Sequence, residues 1–186
     1  LQAAVDMLSA VALERAITFV VLDNWPAQMS IIGDRERVEQ VLSNLLSNAV
    51  KFSPDGRMVI IRSDQVDGQW RVEIEDQGIG IPAAEIPSLF QRFYRASTAV
   101  ENQIQGTGLG LYVCKAIVEG HQGAIGLVSQ EGEGTTVWFT LPARVPTATD
   151  TPWPEGTSED ARLPAEPAHP TGLLESAGFN ESLIPT

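Results

Sequence analysis

The stretch "VEQVLSNLLSNAVKFSPDG", residues 38–56, decides the fold. Val38, Val41, Leu42, Leu45, Leu46 and Ala49 recur at steps of three and four, which places them on one apolar stripe of an amphipathic helix. Asp34, after Gly33, stands where an N-cap carboxylate belongs, Glu36 suits the positive end of the helix, and Ser53-Pro54-Asp55-Gly56 stops it. Beside the stripe, helical spacing lines up Gln40, Asn44 and Asn48, with Lys51 one turn further on. A polar row of this kind faces either water, as an ordinary solvated flank, or a pocket.

Outward from this helix, the chain of 186 residues is long enough for one domain with a sizeable core and some extra. It opens on Leu1 rather than Met, the start expected of a piece of a longer protein. No apolar run has the length of a membrane span and no signal-peptide pattern is present, so a soluble cytoplasmic piece is expected, from a parent that is free to carry a membrane anchor. The formal net charge of −12 argues against a surface that neutralises nucleic-acid phosphates or lies on anionic lipid. Any anionic ligand must then be held by local groups. The single cysteine, Cys114, reads as a small buried core residue.

The hydrophobic pattern gives a helix over residues 1–15, an extended "AITFVVLD", and a short strand "MSIIG". After the asparagine-bearing helix come "RMVIIRSDQV" and "GQWRVEIEDQ". In the second, Trp70, Val72 and Ile74 alternate with Arg71, Glu73 and Glu75, the period of a strand with one buried face. Asp67-Gly68 between the two strands is a hairpin signal. A proline-punctuated segment and a polar stretch lead to a helix opened by "GTGLGLYVCKAIVEG", and "GAIGLVSQ" and "TTVWFTLP" close the domain as a second hairpin. The class is α+β, a two-layer sandwich with a mostly antiparallel sheet whose apolar face is covered by helices. Residues 1–142 form this domain. Residues 143–186 are expected to be a disordered tail or linker: from residue 144 on the chain carries seven acidic and two basic residues and seven of the twelve prolines. Within it, "TGLLESAGFNESLI" reads as linker in preference to a docking helix.

Two glycine-rich stretches carry the chemistry. Directly after the strand "WRVEIED" the chain runs Asp76-Gln77-Gly78-Ile79-Gly80-Ile81-Pro82, where glycines let backbone approach a ligand and an aspartate accepts hydrogen bonds from an amino group. "GTGLG", residues 106–110, places three alternating glycines at a helix start, a ready phosphate site of backbone amides and positive helix end. No G-K-[ST] follows, so this is not a Walker loop, and a polar stretch in place of a strand makes it a poor dinucleotide fingerprint.

In this order and spacing, "QVLSNLLSNAVKFS", "DQGIGIP", "LFQRFYR", "GTGLGLYV" and "EGEGTTVWF" resemble the five boxes of the catalytic, ATP-binding domain of two-component sensor histidine kinases. The resemblance implies the Bergerat fold shared with gyrase, MutL and heat-shock chaperone ATPases, and it covers about residues 1–142. It implies ATP and Mg²⁺ as ligands. By position, Asn48 is the implied Mg²⁺ ligand, Asn44 lines the same cavity toward phosphate or metal-bound water, Lys51 neutralises phosphate oxygens, and Phe52 packs on the nucleoside. Asp76 is the implied adenine reader, with Gly78, Gly80 and Ile81 in the loop that shapes its pocket. Arg95 is the phosphate-contacting arginine, whereas Arg92 is a surface charge, and Phe90 and Phe93 anchor a lid to the core. Residues 94–105 form that lid, with Gln105 a phosphate contact, and Gly106, Thr107, Gly108, Leu109 and Gly110 form the triphosphate-binding turn. Strand alternation lets only one of Thr135 and Thr136 face the ligand, and Thr135 is preferred.

Asn44, Asn48, Lys51 and Arg95 form the implied catalytic set. Chaperone-type ATPases and anti-sigma-factor serine kinases have a glutamate as general base where this chain has Asn44, and an amide cannot take up a proton at neutral pH. Poor hydrolysis of ATP by the isolated chain is the expectation. The resemblance also implies a histidine acceptor on a separate dimerisation domain and, through it, a response regulator. Neither His121, a surface or capping residue by its setting, nor His169 in the tail fits that acceptor. Without the dimerisation helix the piece is expected to be monomeric. The alternatives are an ATPase or serine kinase of the same fold, which Asn44 disfavours, and a nucleotide-gated interaction module without turnover.

Overall fold

The computed structural model describes residues 1–145. The tail read from sequence lies, but for its first three residues, outside them. In chain order the elements are α1 (Gln2–Glu14), β1 (Thr18–Asp23), β2 (Ser30–Ile31), α2 (Arg35–Phe52), β3 (Met58–Val66), β4 (Gln69–Asp76), a 3-10 turn (Ala83–Ser88), α3 (Ser97–Glu101), α4 (Gly110–Gly120), β5 (Ala124–Gln130) and β6 (Gly134–Arg144). The sheet runs β1-β3-β4-β6, with β5 pairing β6 and the two-residue β2 pairing the far end of β6. Only β1 and β3 are parallel; the other pairings are antiparallel.

Each expected element is present, with three differences in detail. The strand expected over "MSIIG" shrinks to Ser30–Ile31. The polar stretch expected as lid contains the short helix α3. The closing strand continues to Arg144, two residues past 142, because its end pairs with β2.

The asparagine-bearing helix α2 is the centre of the helical layer. Its stripe residues Val38, Val41, Leu42, Leu45, Leu46 and Ala49 are at most 5% exposed, and they share one core cluster with Val59, Ile61, Val72, Ile74, Phe139 and Leu141 of the sheet. From α4, Cys114 and Val118 complete that cluster without any exposed surface. Both ends of α2 are held by side chains. The Asp34 carboxylate accepts from the Arg37 amide at 3.2 Å. The last carbonyls, which have no partner inside a helix, accept from the Arg15 guanidinium, which donates to Val50, to Lys51 at 3.3 Å and to Ser53 at 2.8 Å.

Asp67 and Gly68 have φ of 50° and 74°, the paired positive values of a two-residue turn whose twist matches the strands it joins. That turn fixes the register of β3 on β4, Val66 opposite Gln69 through Val59 opposite Asp76. Along β4, burial alternates strictly: Trp70, Val72, Ile74 and Asp76 face inward. The outer face carries the ion pairs Arg62–Glu75 and Arg71–Glu73, both at 2.7 Å, with Arg71 also stacked over Trp138. The sheet therefore buries one face, and its inward alternation ends on a carboxylate.

Candidate functional site

That carboxylate forms part of the lining of a cavity of about 280 Å³ between α2, the sheet and the segment that follows β4. One wall is the polar row of α2, with Asn44, Asn48, Lys51 and Phe52 on the lining. Opposite stands the start of α4 with the loop before it, Gln105 to Gly108 and Gly110. The two walls are close: a methyl added to Gly106 would lie 3.0 Å from the Lys51 Nζ, and one on Gly110 would lie 4.0 Å from the Asn48 amide nitrogen. Among the described residues, no side chain caps the N-terminus of α4 and no acidic residue occupies its first turn. Its unpaired amides are thus left to an anion from outside the helix.

Asp76 is 8% exposed. Its Oδ1 accepts from the Gly78 amide at 2.9 Å and from the Thr135 amide at 3.3 Å. Burial raises its pKa to about 6 against the lowering effect of these two bonds, and the neighbouring Glu75 charge adds to the rise. A carboxylate that is costly to ionise, with acceptor capacity left over, suits a donor arriving with the ligand. Lys51 is held below the ordinary lysine range by partial burial and by the nearby Arg95 cation. Two cations thus crowd the end of the cavity next to the glycine loop, a setting that an anion would relieve.

Two backbone positions set the shape of the pocket. Gly80 has φ of 64°, and a Cβ there would meet the Gln130 carbonyl at 1.9 Å. Its loop is bracketed by the Ile79 amide bonded to the Phe52 carbonyl at 3.2 Å and the Gly132 amide bonded to the Ile79 carbonyl at 2.8 Å. Gly108, at φ of 70°, lies against Phe93 and Tyr94 with its carbonyl accepting from the Phe93 amide at 2.9 Å. In both places only glycine combines the left-handed backbone with the close approach.

Of the residues read from sequence, Asn44, Asn48, Lys51, Phe52, Asp76, Gly80, Ile81, Arg95, Gln105, Gly106, Thr107, Gly108, Gly110 and Thr135 line the cavity. Thr136 does not. Gly78 and Leu109 are also outside the lining: the Gly78 amide is turned onto Asp76, and Leu109 caps α4 with its carbonyl accepting from Val113 at 2.9 Å. Phe93, expected as an anchor, is 65% exposed, and Arg92 stacks over both Phe93 and Tyr112. His121 caps in an unexpected way. Its Nδ1 is bonded to the Ile117 carbonyl at 2.8 Å and its Nε2 accepts from the Asp34 amide at 3.0 Å, which ties the end of α4 to the start of α2. Cys114 is fully buried, and burial pushes its thiol up to about 11, so it stays protonated.

Sequence reasoning missed most of the apolar wall, among it Leu89, Ile104, Leu111, Leu127 and Val137, and also Thr98. Val137 was legible, since it shares strand parity with Thr135. Thr98 and Ile104 sit in a polar stretch with no periodic signal. Their position comes from α3 folding back so that the Thr98 hydroxyl donates to the Gly80 carbonyl at 3.1 Å.

Comparison with known proteins bears on this arrangement. The family model described as histidine kinase-, DNA gyrase B-, and HSP90-like ATPase matches residues 33–145. The sensor histidine kinase WalK of Bacillus subtilis (strain 168) is 42% identical over 111 residues, 59% of this chain and 18% of that protein. Among solved structures, the mycobacterial sensor histidine kinase MprB aligns with a TM-score of 0.65 and 33% identity, covering 77% of this chain and 95% of that one. Full-length ShkA, solved in complex with AMPPNP, aligns with a TM-score of 0.67 and 28% identity over 79% of this chain and 30% of that one. The chain spans less than a third of the length of the curated relatives it matches.

Proposed function

The chain belongs to the histidine kinase-, DNA gyrase B-, and HSP90-like ATPase family, and from that premise we propose that it is the ATP-binding catalytic domain of a sensor histidine kinase. The observation that carries this reading is the convergence on one cavity of the α2 polar row, the buried Asp76 and the uncapped start of α4. They match the three parts of the ligand: an amine-bearing base, a metal-bridged phosphate chain and its terminal charge.

In this reading the adenine amine donates to Asp76 in its ionised form, and Gly80, Ile81 and the apolar wall enclose the base. Lys51, Arg95 and the α4 amides take the phosphates, with Gln105 and Thr107 at the rim. Magnesium fits as a companion of the nucleotide. The donors beside the phosphate end are the neutral amides of Asn44 and Asn48, and among the described residues no group of three or more His, Cys, Asp or Glu side chains gathers to hold a metal by itself. An ion that keeps its waters and takes its negative partners from phosphate requires little more than the Asn48 oxygen. The ion's contribution is to neutralise charge on the transferring group.

Catalysis by this chain then consists of positioning and electrostatic stabilisation. Asn44 cannot act as a base toward water, which disfavours an ATPase of the same fold and leaves the γ-phosphoryl group for a histidine brought by a separate dimerisation domain of the parent kinase, and onward to a response regulator. No helix among the described residues is long and apolar enough to cross a membrane. Titration calorimetry of Mg-ATP into the wild type and Asp76→Ala, a phosphate-release assay, and incubation with a histidine-bearing dimerisation domain test the reading together. Binding lost in Asp76→Ala, slow release and phosphoryl transfer to the added domain support it. No binding by the wild type, or rapid release, overturns it.

A further inference from the structure

The short helix α3 has five residues, and its N-cap position is Ala96, which offers no capping side chain. A single helical turn is not stable by itself in water, and its first amides have no partner within the helix. The partner comes from another element. The Glu85 carboxylate, on the 3-10 turn after β4, accepts from the Ser97 amide at 2.8 Å, from the Ser97 hydroxyl, and from the Tyr94 hydroxyl at 3.2 Å. The two bonds from Ser97, with that from Tyr94, hold the Glu85 carboxyl below its ordinary range.

This carboxylate stands at the root of the strap formed by residues 94–105. The strap's two ends, Arg95 and Gln105, line the cavity, and the Arg95 guanidinium donates to the Ile104 carbonyl so that the strap closes on itself. Positive φ values at Phe93 (63°) and Gln103 (54°) mark its two bends. Besides Glu85, among the described residues one side-chain bond ties α3 to the floor of the site, from Thr98 to Gly80. Glu85 itself is fixed: its turn is bounded by Pro82, contains Pro87 and packs on β5.

We propose that Glu85 is a positioning residue for nucleotide capture, an N-cap supplied from outside α3 that holds the strap, and with it Arg95 and Gln105, against the rim of the cavity. The proposal rests on the nucleotide-binding reading above. Glu85 lines no part of the cavity and acts through its bonds to the strap, at Ser97 and Tyr94. Negative charge at a helix N-terminus and a charge-assisted acceptor for an orphan amide both favour the folded strap.

Hydrogen exchange on the full chain, wild type against Glu85→Ala and Glu85→Gln without nucleotide, followed by Mg-ATP titration of each, tests it. The amides of Val100, Asn102, Gln103 and Ile104, bonded within the strap, are expected to lose protection in Glu85→Ala while α2 and β4 keep theirs. Mg-ATP affinity should fall about tenfold, the effect of one hydrogen bond to a charged group. Glu85→Gln, which keeps an acceptor, should recover most of both. Unchanged strap protection in Glu85→Ala overturns the proposal, as does a loss spread evenly over the domain, or unchanged affinity in a wild type that binds. Failure of the wild type to bind Mg-ATP is a different result and overturns the nucleotide reading itself.

Discussion

Asp76→Asn should make the protein more stable and less able to bind nucleotide, and both effects follow from one buried group. The folded state holds the Asp76 proton up to about pH 6, against an ordinary value of 3.8. Between these values the native chain binds more protons than the unfolded one, so stability falls as pH rises through the window and stays low above it. A displacement of this size corresponds to about 3 kcal/mol of penalty on the ionised form at neutral pH. An asparagine fills the same volume, keeps an oxygen for the Gly78 and Thr135 amides and removes the penalty. Its amide nitrogen, however, presents a donor where, in the proposed binding mode, the adenine amine needs an acceptor. The expected result at about pH 7.5 is a rise in thermal midpoint of roughly 5 °C or more with a loss of Mg-ATP affinity of about a hundredfold. At about pH 4 most of the stability gain should be gone, since the wild-type carboxyl is then protonated in the folded state and close to its unfolded value of 3.8. Thermal unfolding at both pH values, paired with calorimetry at the higher, decides the matter. A variant no more stable than wild type at neutral pH, or one that retains its affinity, would refute the assignment of the buried carboxylate.

Adenosine, which carries no phosphate, isolates the same carboxylate from the other side: its affinity should drop about tenfold per unit as pH falls below Asp76's value, and a flat profile counts against Asp76 as acceptor. Lys51→Ala should weaken Mg-ATP by about tenfold or more and leave adenosine within about twofold, measured by calorimetry, because the ammonium lies beside Gly106 of the glycine loop, where the proposed binding mode puts phosphate. Gly80→Ala forces a Cβ to within 1.9 Å of the Gln130 carbonyl at a positive φ, so nucleotide binding should be abolished together with a clear drop in thermal midpoint. Leu46→Ala removes a side chain with no exposed surface at the centre of the α2 stripe, and should cost about 2–5 kcal/mol in a denaturant titration.

The five boxes and the α2 stripe were legible in the sequence because each depends on local periodicity or on residue types with few conformational options. Six apolar positions at helical steps dictate which face of α2 is buried. The same geometry leaves Asn44, Asn48 and Lys51 on a neighbouring face. The alternation of Trp70, Val72 and Ile74 extends by one more step to Asp76, so the sequence already implied an inward carboxylate at the strand end. Glycines at 80 and 108 marked the sharp backbone turns.

The sequence could not reveal what long-range packing contributes. Nothing local to "ASTAVENQIQ" announces that Thr98 reaches the Gly80 carbonyl or that Ile104 walls the cavity. Arg15 as the cap of a helix that ends 37 residues later, and His121 as the link from α4 to the first turn of α2, likewise depend on elements meeting in three dimensions. Asp76's altered proton affinity is of the same kind. The strand pattern set its direction, but desolvation depends on how closely α2, β6 and the loop after β4 surround it, and only the folded structure decides that.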